Sequence, residues 1–356
     1  MVLESLWVQG FRVLAEQRLD SAAPIVAVEG GNGAGKSTLL DAVYFLASGK
    51  SCLGFSNSDL IREGGNYFVV GGAYRSADPV AGTSVRHTVQ AMFTREGHKE
   101  VRIDGSVYHA FVHLIGGLRV VQFNFNSLFL VKGMPSVRRQ FLNSLIASSD
   151  HGYLETLSAY AAVVTHKNAL LRQSSAGPVD GSLLDVFDEQ IASLSAVIYA
   201  KRRAVLAVMN REMTRLVSDG LFAPLADVSI AYNPEALSAA SIRALRDREL
   251  ARRVCLAGCH LDDFTLLRGN RQLREVTSLG EAKLIALLLT FAGAEYMRSA
   301  TGEYPILLLD DLEGDIDSAN LDRLMHLLPR FEQVFVTSFD FARLSGSVSD
   351  AVFVRL

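Results

Sequence analysis

Eight consecutive residues, Gly30-Gly31-Asn32-Gly33-Ala34-Gly35-Lys36-Ser37, join a glycine-rich turn to a lysine and a hydroxyl. The pattern is G-x-x-x-x-G-K-[ST], and its chemistry is the binding of nucleotide phosphates. Gly30, Gly33 and Gly35 can take positive φ, which lets the backbone curl and aim its N–H groups at an anion. Lys36 would reach the β- and γ-phosphates, and Ser37 would offer its hydroxyl to Mg²⁺. Asn32 and Thr38 belong to the same nucleotide-binding segment. A second cluster is acidic. Ile306-Leu307-Leu308-Leu309-Asp310-Asp311 is an apolar run ending in two carboxylates. Asp310 is positioned to hold Mg²⁺ and Asp311 to polarise an attacking water. Lys36 and Asp311 are thus the candidate catalytic residues, and Ser37 and Asp310 the candidate metal ligands.

These groups need rigid supports. The run Ile25-Val26-Ala27-Val28 before the loop suits a buried parallel strand. The apolar residues from Leu39 to Leu46 after it recur at helical spacing. Residues 3–11 read as an opening strand. The runs 67–70, 88–93 and 101–103, with the turn Asp104-Gly105, predict an antiparallel sheet. From about Ser136 the pattern becomes helical, with long amphipathic stretches at 151–173, 182–218 and 236–254. An α/β pattern returns near 256, with a core helix around Leu284–Phe291 and strands at 305–309 and 334–337. The expected fold is α/β: a nucleotide-binding head split in sequence over 1–130 and 255–356, with an antiparallel β subregion and a helical lobe inserted at 131–254.

Composition is ordinary for a globular chain: 356 residues, 49 % hydrophobic and 21 % charged, with formal net charge −3. That balance excludes a generally cationic coat but not a local basic face. Residues 131–255 carry 15 Lys and Arg against 12 Asp and Glu, so the lobe is basic and the remainder acidic. Candidate nucleic-acid contacts there are Arg138, Arg139, Lys201, Arg202 and Arg203, with Arg211 and Arg215 beyond them. Cys52, Cys255 and Cys259 suggest neither a disulfide framework nor, with His260, a complete zinc set. No signal peptide or membrane-spanning run stands out, so the expected compartment is the cytoplasm.

Thr277-Ser278-Leu279-Gly280-Glu281 precedes the helix at 282–297 and has the form of the S-x-G-[QE] signature of ABC-type ATPases. Ser278 would cap that helix at its positive end, and Ser278 and Gly280 would bind the γ-phosphate held by another subunit. Gly314 to Asp317 fit the dimer-facing loop of such proteins. Thr337 or Ser338 would sense the γ-phosphate, and Gln122 is the candidate for the glutamine loop.

With these motifs in place the chain resembles the RecF family, bacterial recombination mediators of the SMC/ABC-type ATPase superfamily. The likeness runs nearly end to end. Gly10-Phe11-Arg12 is similar to the family's Asn-Phe-Arg, and the phosphate loop with Leu39-Leu40-Asp41-Ala42 follows its pattern. Val131-Lys132-Gly133-Met134-Pro135-Ser136-Val137-Arg138-Arg139-Gln140-Phe141-Leu142 follows V-K-G-x-P-x-x-R-R-x-F-L, the most family-specific match. Asn168-Ala169-Leu170-Leu171 and Gly258-Cys259-His260-Leu261-Asp262-Asp263 match R-N-A-L-L and G-P-H-R-D-D in part. Leu261, Cys259, Leu53, Gly314 and the stretch Asn124-Phe125-Asn126-Ser127 depart from the family. The resemblance implies an ABC/SMC-type head that binds ATP and Mg²⁺. It implies an ATP-dependent homodimer that holds double-stranded or gapped DNA and releases it on slow hydrolysis. It also implies DNA repair and replication, the SOS response, and RecR (with RecO) as partner. A non-hydrolysing ATP-binding clamp and another SMC-like ATPase are the alternative readings.

Overall fold

A computed structural model describes the chain except residues 78–81, 175–178, 219, 221, 313–317 and 339–350, and the side chains of 318–322 and 338. Three sheets organise it. Six strands form an antiparallel sheet in the order Leu14–Asp20, Val2–Phe11, Tyr67–Ala77, Ser84–Thr94, Lys99–Ile103 and Ser106–Tyr108. Five parallel strands follow the order Ala351–Arg355, Ile25–Glu29, Val334–Ser338, Ile306–Leu309 and Val120–Phe123. A small antiparallel sheet joins Arg271–Gln272, Thr265–Arg268 and Val228–Ala231.

The parallel strands are apolar on both faces because both are covered. Val26, Val28, Ile306, Leu308 and Phe335 face one core, shared with the antiparallel sheet and the helix Lys36–Ser48. Ile25, Ala27, Leu307, Leu309, Val334 and Val336 face the other, shared with the helix Leu279–Thr301 and the helices of the 131–254 region. The helix Leu279–Thr301 is buried almost all round, which explains its near-continuous apolar sequence.

The expected strands at 3–11, 25–28, 305–309 and 334–337 occur with small changes of boundary. At the expected turn Asp104 and Gly105 take φ of 48° and 86°. The helices His151–Gln173 and Gly181–Ser218 also match. The stretch 236–254 differs. It forms two short helices, Ala239–Arg243 and Arg246–Arg252, each turned inward by one anchor, Ile242 and Glu249. The strand Val228–Ala231 lies within the helical stretch and pairs with Thr265–Arg268 beyond it, so a sheet crosses the 254/255 boundary. Among the described residues no helix is long and apolar enough to cross a membrane, and no cluster of His, Cys, Asp and Glu could hold a metal ion.

Candidate nucleotide site

The strand Ile25–Glu29 delivers the chain into the glycine loop, and the helix Lys36–Ser48 starts within it. Gly33 and Gly35 take φ of 80° and 108°. Gly35 also has no room for a side chain, since a Cβ there would lie 2.8 Å from Leu14 Cδ2. The loop therefore curls beneath the first hairpin and leaves the helix N-terminus open to an anion. Gly30 departs from the expectation of positive φ. It contributes its carbonyl, which with that of Gly31 receives the Lys36 ammonium.

A cavity of about 410 Å³ lies over the loop. Asn32, Gly33, Gly35, Lys36, Ser37 and Thr38 line one side, and Asp310, Asp311 and Thr337 the other. The carboxyl of Asp310 is buried and accepts from Thr337 Oγ1 at 2.7 Å and from the Ser37 hydroxyl. Burial pushes its pKa up, and the neighbouring Asp311 adds to this. Thr337, Ser37 and Lys36 oppose the shift. Asp311 is exposed at φ 53°, with its N–H on Thr337 Oγ1 at 3.0 Å. Thr337 thus fixes both acids. A hydroxyl beside a buried carboxyl, next to a lysine and a helix N-terminus, fits the donor set of a Mg²⁺–nucleotide.

Four residues of the cavity were not read from the sequence as site residues. Arg12 and Val13 are the two-residue tip of the hairpin whose last pair is Phe11 with Leu14. Arg12 takes φ 51°, and its guanidinium stacks over Phe55 at 3.9 Å. A lone cation between two β runs was the available signal. Leu53 arrives because the fully buried Asp41 pins its segment, accepting from Ser51 Oγ and Cys52 N at 2.7 Å each. Phe125, 66 % exposed, closes the rim. Gln122 pairs with Leu308 inside the sheet and lines a neighbouring cavity instead, so it is not part of this site.

Ser278 caps the helix Leu279–Thr301 and accepts from Glu281 N at 3.2 Å. Glu281 and Asp227 both pair with Arg268, which ties the helix start to the small sheet. Neither Ser278 nor Gly280 lines the cavity of its own chain. Ser278 is exposed, flanked by the exposed apolar Val276 and Leu279. The segment 314–317 lies outside the described residues, as does the side chain of Ser338.

Two of the expected nucleic-acid contacts are corrected. Arg138 is buried and grips Asp263 with two bonds of 2.8 and 2.7 Å, while its third nitrogen donates to the carbonyls of Leu130 and Gly133. Arg202 is 1 % exposed and donates to Tyr153, Cys259 O, Asp262 and Asn143. Each is buried and spends four of its five N–H groups inside the protein. Both sit on the inward face of amphipathic helices. Arg139 is half-buried and donates to the Asp262 carbonyl, and Lys201 pairs with Asp150 at 2.6 Å. Arg203, Arg211 and Arg215 are exposed.

Residues 2–353 match the model of the RecF/RecN/SMC N-terminal domain family. The DNA replication and repair protein RecF of Herpetosiphon aurantiacus is 30 % identical, over 96 % of this chain and 94 % of its own length. That of Halalkalibacterium halodurans is 28 % identical, over 95 % and 92 %. Among solved structures, the recombination mediator protein RecF bound to ATP, of the RecFOR pathway, superposes with a TM-score of 0.85 at 27 % identity. The match covers 95 % of this chain and 92 % of that one. The Smc head domain of Pyrococcus furiosus shares the fold, with a TM-score of 0.52 at 16 % identity over 97 % and 92 %.

Proposed function

The chain belongs to the RecF family, and from that premise we propose that it is an ATP-dependent DNA clamp for recombinational repair and replication, with slow hydrolysis as its release switch. One observation carries the reading: a complete phosphate, hydroxyl and carboxyl site in one cavity, with the signature serine exposed elsewhere on the same chain. An exposed helix N-terminus that lines no part of its own chain's cavity suits a site completed by a second copy. In this reading Lys36, Asn32, Thr38 and the glycines grip the phosphates, and Ser37 and Asp310 hold Mg²⁺. Ser278 and Gly280 of one subunit close the site of the other. ATP when bound would supply the phosphate charge that Ser278, at its helix N-terminus, answers. Asp311 takes the proton side of the attacking water, with Thr337 fixing its backbone.

The exposed Arg203, Arg211 and Arg215, with Lys201 and Arg139, would give sequence-independent, salt-sensitive contact to double-stranded or gapped DNA. The RecFOR context of the ATP-bound relative supports RecR (with RecO) as partner, and the proposed role on DNA calls for the cytoplasm.

Mixing two inactive variants tests the dimer. Lys36→Ala and Ser278→Arg each disable both sites of a homodimer. A mixed dimer gathers both defects in one site and restores the other. ATP-dependent dimerisation and DNA retention should therefore return on mixing, and continued inactivity of the mixture would defeat the reading. Asp311 favours a second reading, nucleotide binding without turnover. Its carboxylate is one methylene shorter than glutamate, on a backbone held at φ 53°. Single-turnover hydrolysis by the purified protein separates the two.

A further inference from the structure

A second cavity, of about 560 Å³, shares no residue with the nucleotide cavity. It opens between the end of the helix Lys36–Ser48, the helix Pro135–Ala147 and the helix His151–Gln173. Its volume is that of a small-molecule site. Three features define what it could hold.

The first is charge. Lys50, Arg139 and Arg202 line the cavity, and among the described residues no aspartate or glutamate does. Arg202 is answered by Asp262. Among the described residues Arg139 has only a backbone carbonyl, on one nitrogen. Lys50 has no side-chain hydrogen bond or ion pair among the described residues, and it is exposed at the rim. Two positive charges thus face the space without a carboxylate to offset them, which suits an anion.

The second feature is an apolar wall. Leu157, Ala161 and Val164 of the helix His151–Gln173 line the cavity together with Ile115, and none of the four is fully buried. A ring or another flat apolar group would cover this wall, while the hydroxyls of Ser144 and Thr165 serve its polar edge.

The third is a rigid floor. Tyr160 is 3 % exposed, and its hydroxyl meets His260 Nδ1 at 2.5 Å. Asn143 holds both Tyr153 and Arg202, at 2.7 and 2.8 Å. Burial keeps His260 below its ordinary pKa, so the floor contributes fixed dipoles rather than a titrating charge. A cavity with a preset polar floor needs little reorganisation to bind.

We propose that this cavity is a second ligand site, separate from the phosphate loop, that takes a nucleoside phosphate, either free or at the end of a DNA strand. Lys50 and Arg139 hold the phosphate, and the base lies on the wall of Leu157, Ala161 and Val164. The site also touches the phosphate-loop helix through Tyr44 and Ser48, and Tyr44 meets Ser144 across the gap at 3.4 Å. A bound ligand would therefore bear on the helix that carries Lys36. Of these residues only Arg139 also belongs to the DNA-binding face proposed above, and none lines the nucleotide cavity.

The test uses the full chain carrying Lys36→Ala, which weakens the phosphate loop and leaves this cavity intact. Calorimetric titration is made with dAMP, with deoxyadenosine, and with a ten-nucleotide single strand with and without a 5′-phosphate. Binding of dAMP but not of deoxyadenosine is expected. Lys50→Gln should weaken it about tenfold, as for one charge-assisted contact. Val164→Trp should abolish it by filling the cavity with the charges untouched, and circular dichroism and the unfolding midpoint confirm that each variant is folded. If the phosphorylated strand binds and dAMP displaces it, the ligand is a strand end. If dAMP alone binds, it is a free nucleotide. Two results overturn the proposal: no dAMP binding below millimolar concentration, or dAMP binding unchanged in both variants.

Discussion

Arg202 and Arg203 are neighbours in sequence with opposite surroundings, and replacing each by alanine separates structure from binding. The Arg202 guanidinium sits inside the helix packing, 2.6 Å from Asp262, with Cys259 O and Asn143 each at 2.8 Å and Tyr153 at 3.2 Å. Burial opposes its charge, but Tyr153, Asp262 and Cys259 outweigh that, and its pKa is raised. Arg202→Ala leaves the Asp262 carboxylate in the interior with Tyr232 as its side-chain partner and strands the Cys259 carbonyl. Removing one partner of a buried ion pair costs about 3–5 kcal/mol. With a urea slope of about 3 kcal/mol per M, the unfolding midpoint should fall by about 1–1.7 M. Arg203→Ala removes an exposed side chain and should change stability by less than about 0.5 kcal/mol. It should instead lower the salt dependence of ATP-dependent DNA binding by about one phosphate contact. The assays are urea unfolding and DNA binding across a salt series. An Arg202→Ala midpoint equal to that of the parent protein, together with a reduced salt slope, would refute the assignment of Arg202 to the interior.

Two further substitutions probe other parts of the molecule. Because the Asp310 pKa is raised on folding, its charged form is the costly one, so the cost appears as pH rises through the folded pKa and vanishes in acid. Asp310→Asn should therefore raise the melting temperature near pH 7.5, with the gain shrinking toward pH 4, and should remove stabilisation by Mg²⁺–ATP; scanning fluorimetry over a pH series reads both. Gly258 has φ 134°, and a Cβ there would lie 2.1 Å from Tyr160 Oη, which His260 holds in place. Gly258→Ala should cost about 2 kcal/mol or more in denaturant unfolding, and adding Tyr160→Phe should recover part of it.

The sequence was most legible where one short segment does one job. The phosphate loop, the acidic strand and the signature serine are each contiguous, and each falls on the element that its flanking pattern predicts. Residues brought in by tertiary structure were not legible. Arg12 reaches the site because a two-residue hairpin tip folds over the loop, and Leu53 because a buried aspartate twelve residues earlier pins its segment. Helical periodicity gave the long helices but not which arginines face inward, since a buried arginine and a solvated one share the same letter. The break at 244–245 was hidden because Glu249, a polar residue in the pattern, is an interior anchor that meets Lys167 at 2.6 Å.

The family-specific segments acquire a different meaning once their contacts are known. Residues 131–142 and 258–263 are over a hundred positions apart, yet they meet. Arg138 holds the Asp263 carboxylate, Arg139 the Asp262 carbonyl, and Arg202 of the long helix the Asp262 carboxylate. The paired arginines and paired aspartates therefore answer one another as a latch between the helical region and the returning head. Leu261 stands between the latch residues but is 53 % exposed, so the arginine that the family has there is dispensable for the latch. Cys259 keeps its carbonyl on Arg202, a contact that proline would also supply. The two departures in this segment thus spare its structural role. Any loss they bring falls on what an exposed arginine at 261 would have touched, outside the chain.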